Sequence, residues 1–277
     1  MSRQSIFLKS ANVVAFLLVI VVNYIVFKND ESKQPDTEPG DNNTLSFVND
    51  KVTFPETHLL PAEYTFKIWP FIYTLLGGFI LYQWTDAADA VTVEGIQYYH
   101  VIASILNVTW LLTWRNKSLV LLDAFVLVAL FLVTFKAYNN ITEYYPPKVI
   151  WDRLFIHYPF TIYAAWTLVA TILNFWVAIS ILDTVFLSTV AIAFLGAVGI
   201  YFSDYHKRND AMFASTIAWA LVGIANKHQD TMPILIASSV ASGLILGGVL
   251  RVFERRTIAW WNLRRNRLYP ENEPLLV

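Results

Sequence analysis

The chain has 277 residues, of which 56% are apolar and only 15% charged, and its mean hydropathy is +0.47. A soluble domain of this size carries about 25% charged residues, so an ordinary soluble fold is excluded and an all-α polytopic transmembrane bundle is expected. With no Cys, disulfides and thiolate metal or redox chemistry are also excluded. The only basic cluster is the short C-terminal tail, which argues against nucleic acid as a partner.

Taken in order, residues 1–10 form a short basic N-terminus with Arg3 and Lys9, and residues 11–27, ANVVAFLLVIVVNYIVF, form the first apolar run. A basic start before an apolar run is also the pattern of a signal peptide. This run ends on bulky Tyr24, Ile25 and Phe27 rather than small residues, so it reads as a retained first span; cleavage would leave seven spans of eight. Residues 28–58 are acidic and rich in Pro, Asn and Gly, the composition of a flexible loop. Within them Asn42-Asn43-Thr44 makes Asn42 an N-glycosylation acceptor if the loop faces a lumen.

The stretch 59–83, LLPAEYTFKIWPFIYTLLGGFILYQ, opens with Pro61 and Glu63, which suit the first turn of a helix. It then runs uncharged after Lys67 for long enough to span a bilayer. Six further apolar runs lie at about 99–114, 118–138, 157–182, 184–202, 211–226 and 232–253, giving eight spans. The short junctions Arg115-Asn116-Lys117 and Asp183 imply antiparallel neighbours. Arg251, Arg255, Arg256, Arg264, Arg265 and Arg267 place the C-terminus in the cytosol by the positive-inside rule, and eight spans bring the N-terminus to the same side. Gly243 and Gly247 read as close packing inside the bundle, with a homodimer face as the alternative.

Polar groups inside a membrane are costly and are functional candidates by default. Lys136, near a helix end, and Asp183, at a tight turn, read as structural. Asp123, one turn into its helix, suits the helix dipole, with proton coupling as the rival role; Glu63 is the second proton-linked candidate. Asn107, Trp110 and Trp114 share one helix face, as do Trp166, Ala170 and Asn174. The two faces either line a polar-aromatic pocket or join their amides across a helix interface. No nucleophile, Walker loop or zincin motif occurs, and His58, His100, His157, His206 and His228 show no metal-ligand spacing. Neither a catalytic constellation, a metal site nor a cofactor is expected.

Several of these residues resemble a known family. Pro61-Ala62-Glu63-Tyr64-Thr65-Phe66-Lys67-Ile68-Trp69, running on to Ile72-Tyr73 and Tyr82-Gln83, is similar to the second-helix motif of the TspO/MBR-related proteins, also called tryptophan-rich sensory or translocator-like proteins. Leu106-Asn107 with Trp110 and Trp114 resembles a second motif, and Pro159, Tyr163, Trp166, Ala170-Thr171 and Leu173-Asn174 a third. The resemblance covers residues 59–181, with 182–253 as additional helices and Ile217–Ile224 similar to the later half of a longer branch. It implies a helical bundle with a pocket for an aromatic, tetrapyrrole-like or sterol-like molecule, lined by Tyr64, Trp69, Tyr73, Asn107, Trp110, Trp114, Trp166 and Asn174. The compact members' Trp-Pro-Pro start is replaced here by Leu60-Pro61-Ala62.

Residues 254–277 form a basic tail whose Arg251–Leu268 portion, with Trp260 and Trp261, suits a membrane surface. It ends Glu271-Asn272-Glu273-Pro274-Leu275-Leu276-Val277. Glu271 with Leu275 and Leu276 resembles the acidic dileucine signal read by clathrin adaptors, which implies an endosomal or lysosomal membrane, with the plasma membrane or another endomembrane as the alternative. The sequence therefore predicts a transporter of a small organic molecule, with a non-transporting sensor and a structural partner subunit as alternatives.

Overall fold

The computed structural model describes residues 3–31, 56–114, 116–205 and 209–268. Asn42, His206 and the dileucine residues Glu271, Leu275 and Leu276 lie outside these ranges. Every regular element among the described residues is helical. Eight apolar helices carry the fold: α1 (Arg3–Glu31), α2 (Ile68–Tyr82), α4 (Tyr99–Thr113), α5 (Val120–Tyr144), α7 (Tyr158–Ala178), α8 (Val185–Ile200), α9 (Ala211–Lys227) and α10 (Met232–Leu268). Two short helices, α3 (Asp86–Ala90) and α6 (Ile150–Asp152), sit in the connections.

Six of the eight, counted with the helical turns that extend them, are long and apolar enough to cross a membrane. The other two, α4 and α9, have 15 and 17 residues. At about 1.5 Å per residue they fall short of a hydrocarbon core about 30 Å thick. The protein is a polytopic helical membrane bundle.

The centre is α7. Of its residues Pro159 to Asn174, only Leu168 and Ile172 are not fully buried, so it is apolar on all sides, as a core helix must be. Small residues at Ala164, Ala165, Thr167 and Ala170 let neighbours approach, and Thr167 meets Thr134 of α5 hydroxyl to hydroxyl at 3.0 Å. Around α7 pack α2, α5 and α9; α1 lies against α2 and α4, and α10 against α8 and α9.

Several boundaries differ from the sequence reading. A 3-10 turn, Glu63–Lys67, precedes α2, so the α-helix begins seven residues after Pro61. That turn is fixed from outside: Ala62 N donates to the Gly223 carbonyl at 3.0 Å, and a Cβ on Gly223 would collide with Thr65. Residues 28–31, expected in the loop, continue α1. Because α5 continues to Tyr144, Lys136 is exposed well before its end. The basic tail is an unbroken continuation of the last span, with α10 reaching 37 residues.

Gly243 and Gly247 do not serve the internal packing expected of them. A Cβ on Gly243 would meet nothing within 4 Å, and one on Gly247 only the flexible end of Arg251, at 3.7 Å. The close approaches fall elsewhere, at Gly196 against Ala241 and Gly199 against Ile245. A four-residue spacing is satisfied by any face of a helix, and the face these two occupy points away from the bundle.

An aromatic cluster centred on Trp69

Because α2 runs antiparallel to both α4 and α7, the start of α2 meets the end of α4 beside the middle of α7. Trp69, in the first turn of α2, occupies that junction. Its ring stacks on Trp110 of α4 at 5.3 Å between centroids and on Tyr73, one turn along its own helix, at 5.8 Å. Tyr163 and Trp166 of α7 each meet it edge-on at 6.2 Å. All four lie within the roughly 4.5–7 Å range of favourable ring pairs, each contributing about 0.5–1.5 kcal/mol beyond area burial. Trp114 extends the stack from Trp110 at 6.1 Å, and Phe66 meets Trp166 edge-on at 6.0 Å.

Polar atoms face the same junction. The Tyr73 hydroxyl donates to Asn107 Oδ1 at 3.1 Å, leaving the Asn107 amide nitrogen buried with no partner. The indole nitrogens of Trp110 and Trp166 are likewise buried and unpartnered. Three N–H donors around one aromatic stack are thus unsatisfied by the protein. A buried donor without an acceptor costs about 1–3 kcal/mol, and buried indole N–H groups ordinarily find partners.

Other predicted residues go elsewhere. Tyr64 meets Trp219 of α9 edge-on at 5.4 Å, its hydroxyl accepting from Asn226 at 3.4 Å, so it belongs to the clasp between the 3-10 turn and α9. Asn174 donates to the Ala170 carbonyl of its own helix at 3.1 Å, with Oδ1 buried and unpartnered. Among the described residues no hydrogen bond joins Asn107 to Asn174, so the interhelical amide pair is not formed. Glu63 is exposed. Asp123 is fully buried, accepts from the Thr113 hydroxyl through Oδ1, and leaves Oδ2 without a partner. Thr113 in turn lies 3.3 Å from the Trp110 carbonyl, which puts Asp123 behind the aromatic stack.

Two features go beyond the sequence reading. Tyr163 was placed in the third motif but not in the pocket lining, although it stands three residues before Trp166, as Phe66 stands three before Trp69. The second is a polar network at the opposite end of the bundle. Lys9, wholly buried in α1, donates to Asp89 of α3 at 2.6 Å, and the Ser5 hydroxyl donates to the same oxygen at 2.7 Å. Asn12 donates to Gln83 at 3.0 Å, and Gln83 returns a bond to the Lys9 carbonyl at 3.2 Å. The Lys9 ammonium and the Ser5 hydroxyl hold the Asp89 carboxyl below its ordinary range. Ser5, Lys9 and Asn12 share one helix face at spacings of four and three, a signal hidden by treating Lys9 as a flanking charge.

A third group ties the segment before α2 to the helix ends above the aromatic cluster. His58 bonds Asp183 through both its backbone and its ring, at 2.8 and 2.9 Å, and His228 meets the Leu60 carbonyl at 3.0 Å. The two imidazoles stack 6.4 Å apart, beside the Lys227–Glu56 pair at 3.4 Å. Burial holds His228 below the ordinary histidine value. No group of three or more potential metal ligands occurs among the described residues.

No curated protein and no solved structure matches the chain. A family model described as TSPO-like protein matches residues 9–251, a region that contains the Trp69 cluster, the Lys9–Asp89 pair and all or most of each of the eight apolar helices. That match covers most of the sequence, and the chain belongs to the TSPO-like protein family.

Proposed function

We propose that the protein carries a small aromatic or amphipathic organic molecule across an endolysosomal membrane, binding it at the Trp69 cluster. The supporting observation is the set of unsatisfied donors, Asn107 Nδ2 and the indole nitrogens of Trp110 and Trp166, around a wall of stacked rings. Such a surface suits a flat molecule that offers its faces to indoles and a carbonyl or carboxylate oxygen to the three N–H groups. Asp123, buried behind the stack with one free oxygen, is the proton-linked group this reading favours over exposed Glu63. No nucleophile is assigned, so the reading is of a carrier and not an enzyme. The arginines in the C-terminal part of α10 favour a cytosolic C-terminus, with an even number of spans bringing the N-terminus to the same side, and the dileucine residues Glu271, Leu275 and Leu276 are the clathrin-adaptor address in this reading.

The test is metabolite profiling of lysosomes from cells with and without the protein, repeated with Asn107→Leu and Trp110→Phe. One small molecule retained in the depleted organelles, and equally in both variants at normal protein level, is the expected result. Unchanged metabolites would reject transport. The second reading, a sensor that binds without carrying, is favoured by how closely Trp69 and Trp110 already stack; it predicts binding to purified protein with no flux in proteoliposomes. A structural subunit that docks a second copy on the outward face of Gly243 and Gly247 predicts neither.

A further inference from the structure

At about 1.5 Å per residue, the 37 residues of α10 measure about 55 Å, more than the roughly 40–45 Å of a bilayer with its headgroups. The excess lies at the C-terminal end. From Val249 to Leu268 the sequence has neither Gly nor Pro, so nothing breaks the helix where it leaves the bundle. Its base is fixed, because Arg251 donates through Nε and Nη2 to the two oxygens of Asp204 at 3.1 and 2.6 Å. Arg256 donates to the Asn209 carbonyl at 3.2 Å. Every side chain described beyond Val252 is exposed, including Ile258, Trp260 and Trp261. The bundle therefore supplies no packing for these last turns.

The composition of the arm identifies what covers it. Arg255, Arg256 and Arg264 project from it, the sequence adds Arg265 and Arg267, and Glu254 is its single acid. Arg264 lies over the ring of Trp260 at 5.3 Å, and Trp260 and Trp261 pack edge to face at 5.3 Å. Arginine and tryptophan together at the end of a span are the chemistry of the headgroup layer: guanidinium pairs with phosphate and indole sits at the water boundary. A tilt within the ordinary range for transmembrane helices, up to about 40°, lays the arm into that layer.

We propose that residues 254–268 form a rigid arm that binds anionic phospholipid headgroups of the leaflet it faces. Because the arm is one helix with the last span, lipid charge bears directly on α10 and, through Asp204, on the end of α8.

The absence of native cysteine gives a clean probe: Asn262→Cys in the full chain, labelled with an environment-sensitive fluorophore. The protein is placed in nanodiscs of phosphatidylcholine alone or of an equal mixture with phosphatidylserine. A blue shift and severalfold lower access to an aqueous quencher are expected only in the mixed discs, both reversed by high salt. The same chain with Arg255→Gln, Arg256→Gln and Arg264→Gln should lose the difference; the salt titration on the unsubstituted arginines gives the answer even if that variant folds poorly. Equal quenching in both discs at low salt would overturn the proposal. So would protection that appears only on adding nucleic acid or an acidic protein, since it would assign the arm to a different partner.

Discussion

The two ends of this bundle handle the problem of polar atoms in a membrane in opposite ways. At one end Lys9, Ser5, Asn12, Gln83 and Asp89 bond one another across three helices, with Asn12 Oδ1 the one buried atom among them left without a partner. At the other end Asn107, Trp110 and Trp166 keep N–H groups unspent among stacked rings. A polar group that is satisfied by its neighbours holds helices in register; one that is left unsatisfied is held ready for something outside the chain. The difference separates what builds the bundle from what the bundle presents.

The comparison breaks most visibly at the ion pair. Asp89→Ala should leave the wholly buried Lys9 without a counter-charge and cost about 3–5 kcal/mol. Lys9→Met should cost less, because Asp89 is 39% exposed and can turn to water. Denaturant titrations of the two variants in mild detergent would show the asymmetry; equal losses would mean that Lys9 is not held as described. Trp166→Ala, at a fully buried core site, should cost about 3 kcal/mol and abolish ligand binding as well. Trp110→Phe keeps a six-membered aromatic ring but removes the unpartnered N–H together with the five-membered ring that carries it, so it should lose most ligand affinity while the thermal midpoint falls only modestly. A fall in midpoint without a change in affinity would place Trp110 with the structural groups.

Acid sharpens the contrast, since the two ends respond in different windows. His228 is held below its ordinary value by burial, so its contribution is full above about pH 6.5, where an unfolded histidine is neutral. That contribution declines as pH falls toward the folded value, and His228→Gln should flatten the stability profile there. Asp89 is also depressed, so its stabilisation is full above about pH 4, the unfolded carboxyl value, and is lost only as pH drops through the lower folded one. Lys9→Met should shrink that second window, leaving only the part the Ser5 hydroxyl holds, and leave the first unchanged. The smallest effect belongs to Gly243→Ala, expected within about 0.5 kcal/mol of neutral by thermal denaturation in detergent because a Cβ there meets nothing.

Helices were the most legible part of the sequence. Long apolar runs broken by short polar turns admit few alternatives, and all eight appear close to where hydropathy puts them. Within the cluster, Trp69, Tyr73, Asn107, Trp110, Trp114 and Trp166 come together because spacings of three and four fix a shared face on each helix. Which face meets which neighbour is not written in one helix alone. Asn174 and Tyr64 sit at equally plausible spacings, yet one bonds its own helix and the other turns to α9. The Lys9 network stayed hidden for the same reason, since Asp89 lies in a five-residue helix with no periodicity of its own.

The position of Lys9 also bears on how the protein is made. Its partner follows 80 residues later. When the first helix reaches the membrane, Asp89 has not yet been synthesised, and a lysine within an apolar helix must wait without a counter-charge. The helix can settle in its final place only after the segment carrying Asp89 arrives beside it. Early insertion therefore depends on the translocation machinery, or on water drawn to the lysine, to shelter a charge that the finished protein encloses.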